Sequence, residues 1–297
     1  MLSAPINLTG RVIVVTGASS GIGRATTVAL TAEGADVWAL ARTATSADLR
    51  PAHSLNSARC LDVDLTDADQ VSAAATTITN ALGETPLHGI VHTAGISRLG
   101  PAVGIAAADI DAVITTNLTG PIALTSSLFD ALGDDSRVVF VGSRAGSGPA
   151  RLNGAYGASK AAVRSIASTM RVEMAPLGIH VCEIVPGAVR TGLRGVALET
   201  LSAATERVTS RHPSAPHGEW AGALRGAAAT SETTPDEVAA SIVALLSAAS
   251  PPARTHVPRS EQLRGALRQA AGTGAMSRLV RSIRSVRSSA SRNGMTS

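Results

Sequence analysis

The sequence predicts an α/β protein, a doubly wound parallel sheet in a single domain. Three observations predict it. Short runs of Val, Ile, Leu and Ala alternate with longer helical patterns from residue 11 to residue 185. The runs are apolar at nearly every position rather than every second one, as in strands covered on both faces. A glycine cluster follows the first run directly and opens the first helix.

Each element has its own signal. RVIVV (11–15) is the first strand, followed by a glycine-rich turn and a helix through about Glu33. ADVWALA (35–41) is the second strand and ARCLDVD (58–64) the third, with LTDADQVSAAATTITNAL a helix after it. GIVHTAG (89–95) is the fourth, and a helix from Asp109 to Leu132 follows. RVVFVGS (137–143) is the fifth, then a loop and a helix from about Tyr156 to Met174. IHVCEIV (179–185) is the sixth. The rhythm breaks over 192–234, a Gly/Ala/Thr/Ser segment holding His212, His217 and Trp220. A connection this long inside a compact domain suggests a lid over a site. Order resumes at TPDEVAASIVALL, where Thr234 and Glu237 predict a capping box with Pro235 at the first helical position. THVP (255–258) predicts a seventh strand.

Composition bounds the function classes. Aromatics are 2% of the chain, so the core rests on aliphatic residues. No apolar run approaches the roughly 18 residues of a membrane span. The first residues lack a secretory pattern, and Cys60 and Cys182 lie in apolar strand runs, which together predict a cytoplasmic protein. The net charge of +4 is unevenly placed. Residues 259–297 carry eight arginines against Glu261, so the basicity belongs to this extension and is no nucleic-acid footprint on residues 1–258. Met276, Leu279, Val280, Ile283 and Val286 recur there at helical spacing among the arginines. Such a segment suits an anionic membrane surface, packing on its own domain or a partner, or an unstructured end. No cluster of side chains calls for a metal.

The chain has one tyrosine and one lysine, and they are four positions apart: Tyr156 and Lys160, in YGASK. Residues i and i+4 share a helix face. A phenol with a pKa near 10 is ionised in only about one molecule in a thousand at pH 7. A neighbouring cation favours phenolate, which makes the pair a candidate donor and acceptor of the proton of an alcohol or carbonyl. TGASSGIG (16–23) places Gly17, Gly21 and Gly23, with Ser19, Ser20 and Ile22, where a strand turns into a helix whose N-terminus would face phosphate.

The spacing T-G-x-x-x-G-x-G resembles the short-chain dehydrogenase/reductase family, and more specifically its NADP-preferring, retinol and steroid dehydrogenase-like branch, whose fold is Rossmann-like. The match runs from about Leu8 to Val189. The family's catalytic Asn, Ser, Tyr and Lys fall on Asn117 (TTNLTG), Ser143 (VVFVGSRAG), Tyr156 and Lys160. PGAVRT resembles the motif that receives the nicotinamide amide, placing Pro186, Gly187, Val189 and Thr191 at the cofactor. The resemblance implies that Tyr156 exchanges a proton with the substrate oxygen and that Ser143 orients that oxygen. It further implies that Lys160 lowers the phenol pKa and holds the nicotinamide ribose, and that Asn117 organises a proton-relaying water. It also implies an NADP(H)-dependent oxidoreductase acting on CH–OH donors, assembled as a homodimer or homotetramer.

At the end of the second strand, Ala41 stands where NAD-preferring relatives carry an acid, and Arg42 follows with Thr43 beside it. An arginine there fits a 2′-phosphate. Asp64, with Leu65, matches the adenine-contacting position, and Ala94 and Gly95 meet the cofactor by main chain. One departure stands out: the family's N-N-A-G is here His92-Thr93-Ala94-Gly95. Thr93 is expected to hold the backbone through its hydroxyl, and His92 to be structural. The resemblance further suggests a lipophilic alcohol or carbonyl substrate. A rival reading is a catalytically inactive nucleotide-sensing regulator on the same fold, which would commonly lack the tyrosine or lysine that this chain retains.

Overall fold

A computed structural model describes residues 5–43, 58–191, 193–215 and 233–258. Seven strands form one parallel sheet: β1 (Val12–Thr16), β2 (Asp36–Ala41), β3 (Ala58–Asp62), β4 (Leu87–His92), β5 (Leu132–Val141), β6 (His180–Pro186) and β7 (Arg254–Val257). Their spatial order is β3-β2-β1-β4-β5-β6-β7. The order reverses between β1 and β4, and the carboxyl ends of those strands open the crevice in which such sheets bind ligands.

Helices cover both faces because each strand presents apolar side chains to both. On one face Ile13 and Val15 of β1, Val139 and Val141 of β5, and Ile184 of β6 pack with Leu30 of α1 (Gly21–Ala32) and with Val238, Ile242 and Leu246 of α7 (Pro235–Ser247). On the other, Val12, Val14 and Ile90 pack with Ile78 of α2 (Ala68–Leu82) and Leu124 of α4 (Gly120–Ser127). Further along that face Val138, Phe140 and Val181 meet Val163 and Ala167 of α5 (Gly154–Met174). The alternation within strands that are buried throughout is why apolar runs signalled them so clearly.

Two expectations are refined. The helix anticipated over 109–132 is three pieces: α3 (Ala107–Ile114), a π turn over Thr115–Thr119, and α4, with a short 3₁₀ turn beyond. The π turn holds Asn117, and Pro121 opens α4. The fourth strand ends at His92, so residues 93–95 are the turn leaving the sheet. The capping box of α7 is present, with Glu237 N donating to Thr234 Oγ1 and Thr234 N donating to Glu237 Oε2. Part of the expected lid forms α6 (Leu193–Thr209). The stretch 216–232, with His217 and Trp220, and the basic extension 259–297 lie outside the described residues. Among the described residues no helix is long and apolar enough to cross a membrane.

Candidate active site

The glycine turn is shaped by close approach. Gly17 has φ 69°, and a Cβ there would lie 2.7 Å from Ala94 Cα, so the turns after β1 and β4 touch backbone to backbone. At Gly23 a side chain would collide with Gly17 O and Thr93 Oγ1. Thr93 donates its hydroxyl to Thr16 O at 2.5 Å, and Ala94 N donates to Thr16 Oγ1 at 3.3 Å. The threonine thus fastens the two turns, as anticipated from its hydroxyl.

The N-terminus of α1 lacks an internal anion. Its N-cap, Ser20, makes no side-chain capping bond, and its first turn contains no acid. The contrast with α2, capped by Asp67, and α7, capped by Thr234 and Glu237, is sharp. First-turn N–H groups at a positive helix end, beside glycines with no side chain, suit a diphosphate. The observed residues therefore fit a dinucleotide cofactor.

One cavity of about 620 Å³ gathers the expected cofactor residues. Its wall runs from Gly17, Ser19, Ser20, Gly21, Ile22 and Gly23 past Arg42 and Thr43 to Asp64 and Leu65. It continues through Ala94 and Gly95 to Ser143, Tyr156 and Lys160, and closes at Pro186, Gly187, Val189 and Thr191. The last segment is tied down by Gly187 N donating to Val257 O at 2.7 Å, and Thr191 reaches the start of α1. A separate depression on α5, lined from Gly146 to Glu173, contains none of these residues.

Asp64 Oδ1 accepts from Thr66 N and Thr66 Oγ1, fixing the turn after β3. Arg42 and Thr43 are exposed at the rim just beyond β2.

Around the chemistry, α5 supplies three groups. Tyr156 hydrogen-bonds Ser143, whose own Oγ accepts from Ala145 N at 3.2 Å. Lys160 Nζ donates to Val141 O at 2.7 Å and lies 5.8 Å from the centre of the Tyr156 ring. Ser159 Oγ donates to Tyr156 O and receives Asn117 Nδ2 at 2.9 Å.

Asn117 lies behind the cavity wall rather than in it. Its Oδ1 accepts Ile96 N at 2.8 Å and its Nδ2 donates to Ile96 O at 2.9 Å, so it holds the loop after β4 instead of bonding its own helix. A Cβ on Gly95 would stand 3.3 Å from Asn117 Oδ1 and 3.8 Å from Lys160 Nζ, so a side chain would press on the amide and touch the ammonium.

Burial pushes the Tyr156 phenol up from its ordinary value, and the bond from Ser143 pulls it partly back. Burial lowers the Lys160 ammonium to about 8, opposed by the charge of Glu183. The low-dielectric setting penalises whichever form is charged, so it raises the acid and lowers the base. His92 is structural, as expected: it stacks on Phe140 at 4.9 Å, meets Thr125 Oγ1 at 2.8 Å, and is held neutral with a pKa of about 3.

Several contributors escaped sequence reasoning. Ser97 donates to Asn153 Oδ1 at 2.8 Å. Thr200 of α6 accepts Leu99 N and donates to Leu99 O, and Arg207 donates to Gly104 O, so α6 is moored to the loop beyond β4. Nothing in composition or spacing marks partners this distant along the chain. Only Ser159 carried a hint, between the tyrosine and lysine of one helix.

Comparison with known proteins agrees with this fold. The short chain dehydrogenase family profile matches residues 11–201, and the chain belongs to that family. Mouse retinol dehydrogenase 5 is 31% identical over 205 residues, covering 68% of this chain and 64% of the relative. The NADPH-dependent 1-acyldihydroxyacetone phosphate reductase of Schizosaccharomyces pombe is 30% identical over 194 residues, 65% of this chain and 64% of the relative. The alignments with these two curated relatives thus span just under two thirds of their length. A dehydrogenase/reductase structure from Sinorhizobium meliloti superposes with a TM-score of 0.67 at 26% identity, covering 85% of this chain and 95% of that one.

Proposed function

We propose that this chain is an NADP(H)-dependent oxidoreductase that interconverts a ketone or aldehyde and the corresponding alcohol on a lipophilic small molecule. The observation that carries the reading is the convergence of Tyr156, Ser143 and Lys160 on the same cavity as the glycine turn and Arg42.

When bound, NADP(H) supplies or accepts the hydride. The chain's own residues handle the proton and the geometry. In reduction the Tyr156 hydroxyl gives its proton to the substrate oxygen, and the Ser143 hydroxyl, already bonded to it, orients that oxygen. A phenol that burial keeps protonated begins the reductive direction in the required form. Lys160 places a positive charge beside the phenolate that results, while its bond to Val141 O fixes its reach. Asn117 sets the loop that carries Gly95 and Ile96 past the ammonium. Positioned proton transfer of this kind contributes about 10²–10⁴ in rate. Helix α6, moored through Thr200 and Arg207, covers the substrate side as a lid.

Arg42 at the end of β2, with no carboxylate at Ala41, supports a 2′-phosphate, and the NADPH-dependent relative points the same way. The likeness to a retinol dehydrogenase supports a lipophilic substrate. The test is NADPH oxidation against a graded series of ketones and aldehydes. Turnover that rises with apolar chain length is expected. Tight NADPH binding without turnover on any carbonyl would refute the catalytic reading.

A further inference from the structure

The register of the sheet lines up four side chains beneath α5. His92 on β4 is paired with Phe140 on β5, Phe140 with Glu183 on β6, and Glu183 with Arg254 on β7. Residues in register across parallel strands share a face. Phe140 and Val181, two residues before Glu183, pack on α5, so the row lies in the layer into which Lys160 descends.

Glu183 stands out in that row. It interrupts the apolar run over residues 181–186 and is 3% exposed. A carboxylate taken out of water costs several kcal/mol unless it is paired, so its seat requires an explanation. Its Oε2 accepts from Arg254 Nε at 2.5 Å. Its Oε1 occupies the space that a side chain on Gly142 would need, so the carboxylate lies beside that glycine. Gly142 is the single residue between Val141, whose carbonyl receives Lys160 Nζ, and Ser143, which bonds Tyr156. An ion pair that merely stapled the edge strand would satisfy itself anywhere along β6 and β7. This one sits under the turn that carries both catalytic contacts.

We infer that Glu183 is a positioning residue of this site: anchored by Arg254, its carboxylate fixes the Val141–Ser143 turn and holds Lys160 as an ammonium ion. The inference rests on the proton-transfer reading of Tyr156 and Lys160 for its consequence in turnover, where Glu183 sets the upper pH limit of reduction. The charged and titratable groups around the pair are Lys160, Tyr156 and Arg171 on α5, Arg254 on β7, Cys182 beside Glu183 on β6, and His92 on β4. His92 is neutral over the working range, and burial pushes the Cys182 thiol up to about 11, so neither competes. Glu183 is the carboxylate whose charge opposes the burial penalty on Lys160.

Lys160 is the chain's one lysine, so ¹⁵Nζ-lysine labelling gives a single side-chain resonance that can be titrated without any assay of activity. Glu183→Gln should move that midpoint to lower pH by about one unit, a tenfold loss of proton affinity. Glu183→Asp, which keeps the charge, should restore most of it. The basic limb of kcat/KM for NADPH-linked reduction should move down with the resonance in Glu183→Gln. Should Glu183→Gln fail to fold, Arg254→Gln removes the anchor of the carboxylate and should displace the Lys160 midpoint from the wild-type value. A Lys160 midpoint equal to that of the wild type in whichever variant folds overturns the inference, whatever the activity. A shifted resonance in a protein that turns over no carbonyl supports the pairing and refutes the catalytic reading, so the two fail separately.

Discussion

Asn117 and Ser159, 42 positions apart, are joined by a hydrogen bond of 2.9 Å from Asn117 Nδ2 to Ser159 Oγ. The same serine donates back to Tyr156 O, and the same asparagine brackets Ile96 N and O. The loop after β4, the π turn and the tyrosine helix are thereby one unit. Asn117→Ala would leave the half-buried Ile96 amide and the buried Ser159 hydroxyl without this partner. A loss of about 2 kcal/mol is expected in denaturant unfolding. A variant as stable as the wild type would show the unit to be dispensable.

Tyr156→Phe keeps the ring and removes only the hydroxyl that meets Ser143. Turnover should fall by roughly 10²–10⁴ while NADPH affinity changes little. Single-turnover kinetics beside a binding isotherm separates the two, and near wild-type rates would exclude the tyrosine as proton donor.

Lys160→Met tests the cost of the buried ammonium. Lys160 has a folded-state pKa of about 8 against an ordinary value of 10.5, so between those values the unfolded chain binds more protons at this position. Stability from this group therefore rises with pH across that window and is at its least below pH 8. The variant should melt above the wild type at pH 7, and the gap should narrow as pH climbs from about 8 to 10.5. A gap independent of pH would contradict the assignment.

Arg42→Asp places a carboxylate where a 2′-phosphate is expected. The ratio of kcat/KM for NADPH over NADH should drop by roughly tenfold or more, since a charge-assisted contact is exchanged for repulsion. An unchanged ratio would move the phosphate site elsewhere.

The sheet was legible because its strands are buried on both faces and so are apolar at successive positions. Their ends were less so. β5 begins at Leu132 instead of 137, and its pairing with β4 shifts register between Leu87 and Gly89. Asp135 there adopts φ 64° among polar neighbours, a conformation that an apolar-run criterion passes over. The single helix expected over 109–132 failed at Asn117, because a π turn inserts a residue without disturbing apolar periodicity enough to be noticed. The residues lining the cavity were legible from motif spacing, since a glycine turn at a helix start and an i, i+4 pair on one helix face follow local rules. Glu183, Thr200 and Asn153 were not. Their roles exist only once β5 and β6, α6 and the loop beyond β4, or the turns at Ser97 and Asn153 have been brought together.

The core that seats α1 is completed from the far end of the chain. Leu30 of α1 shares one apolar cluster with Val238, Ile242 and Leu246 of α7. During synthesis the glycine turn emerges early, yet its helix has no finished surface to settle on until residues beyond Pro235 have left the ribosome. A nascent chain halted before that point would leave uncovered the part of α1 that meets α7. The cofactor cradle, first to be translated, is among the last parts of the molecule able to assume its working shape.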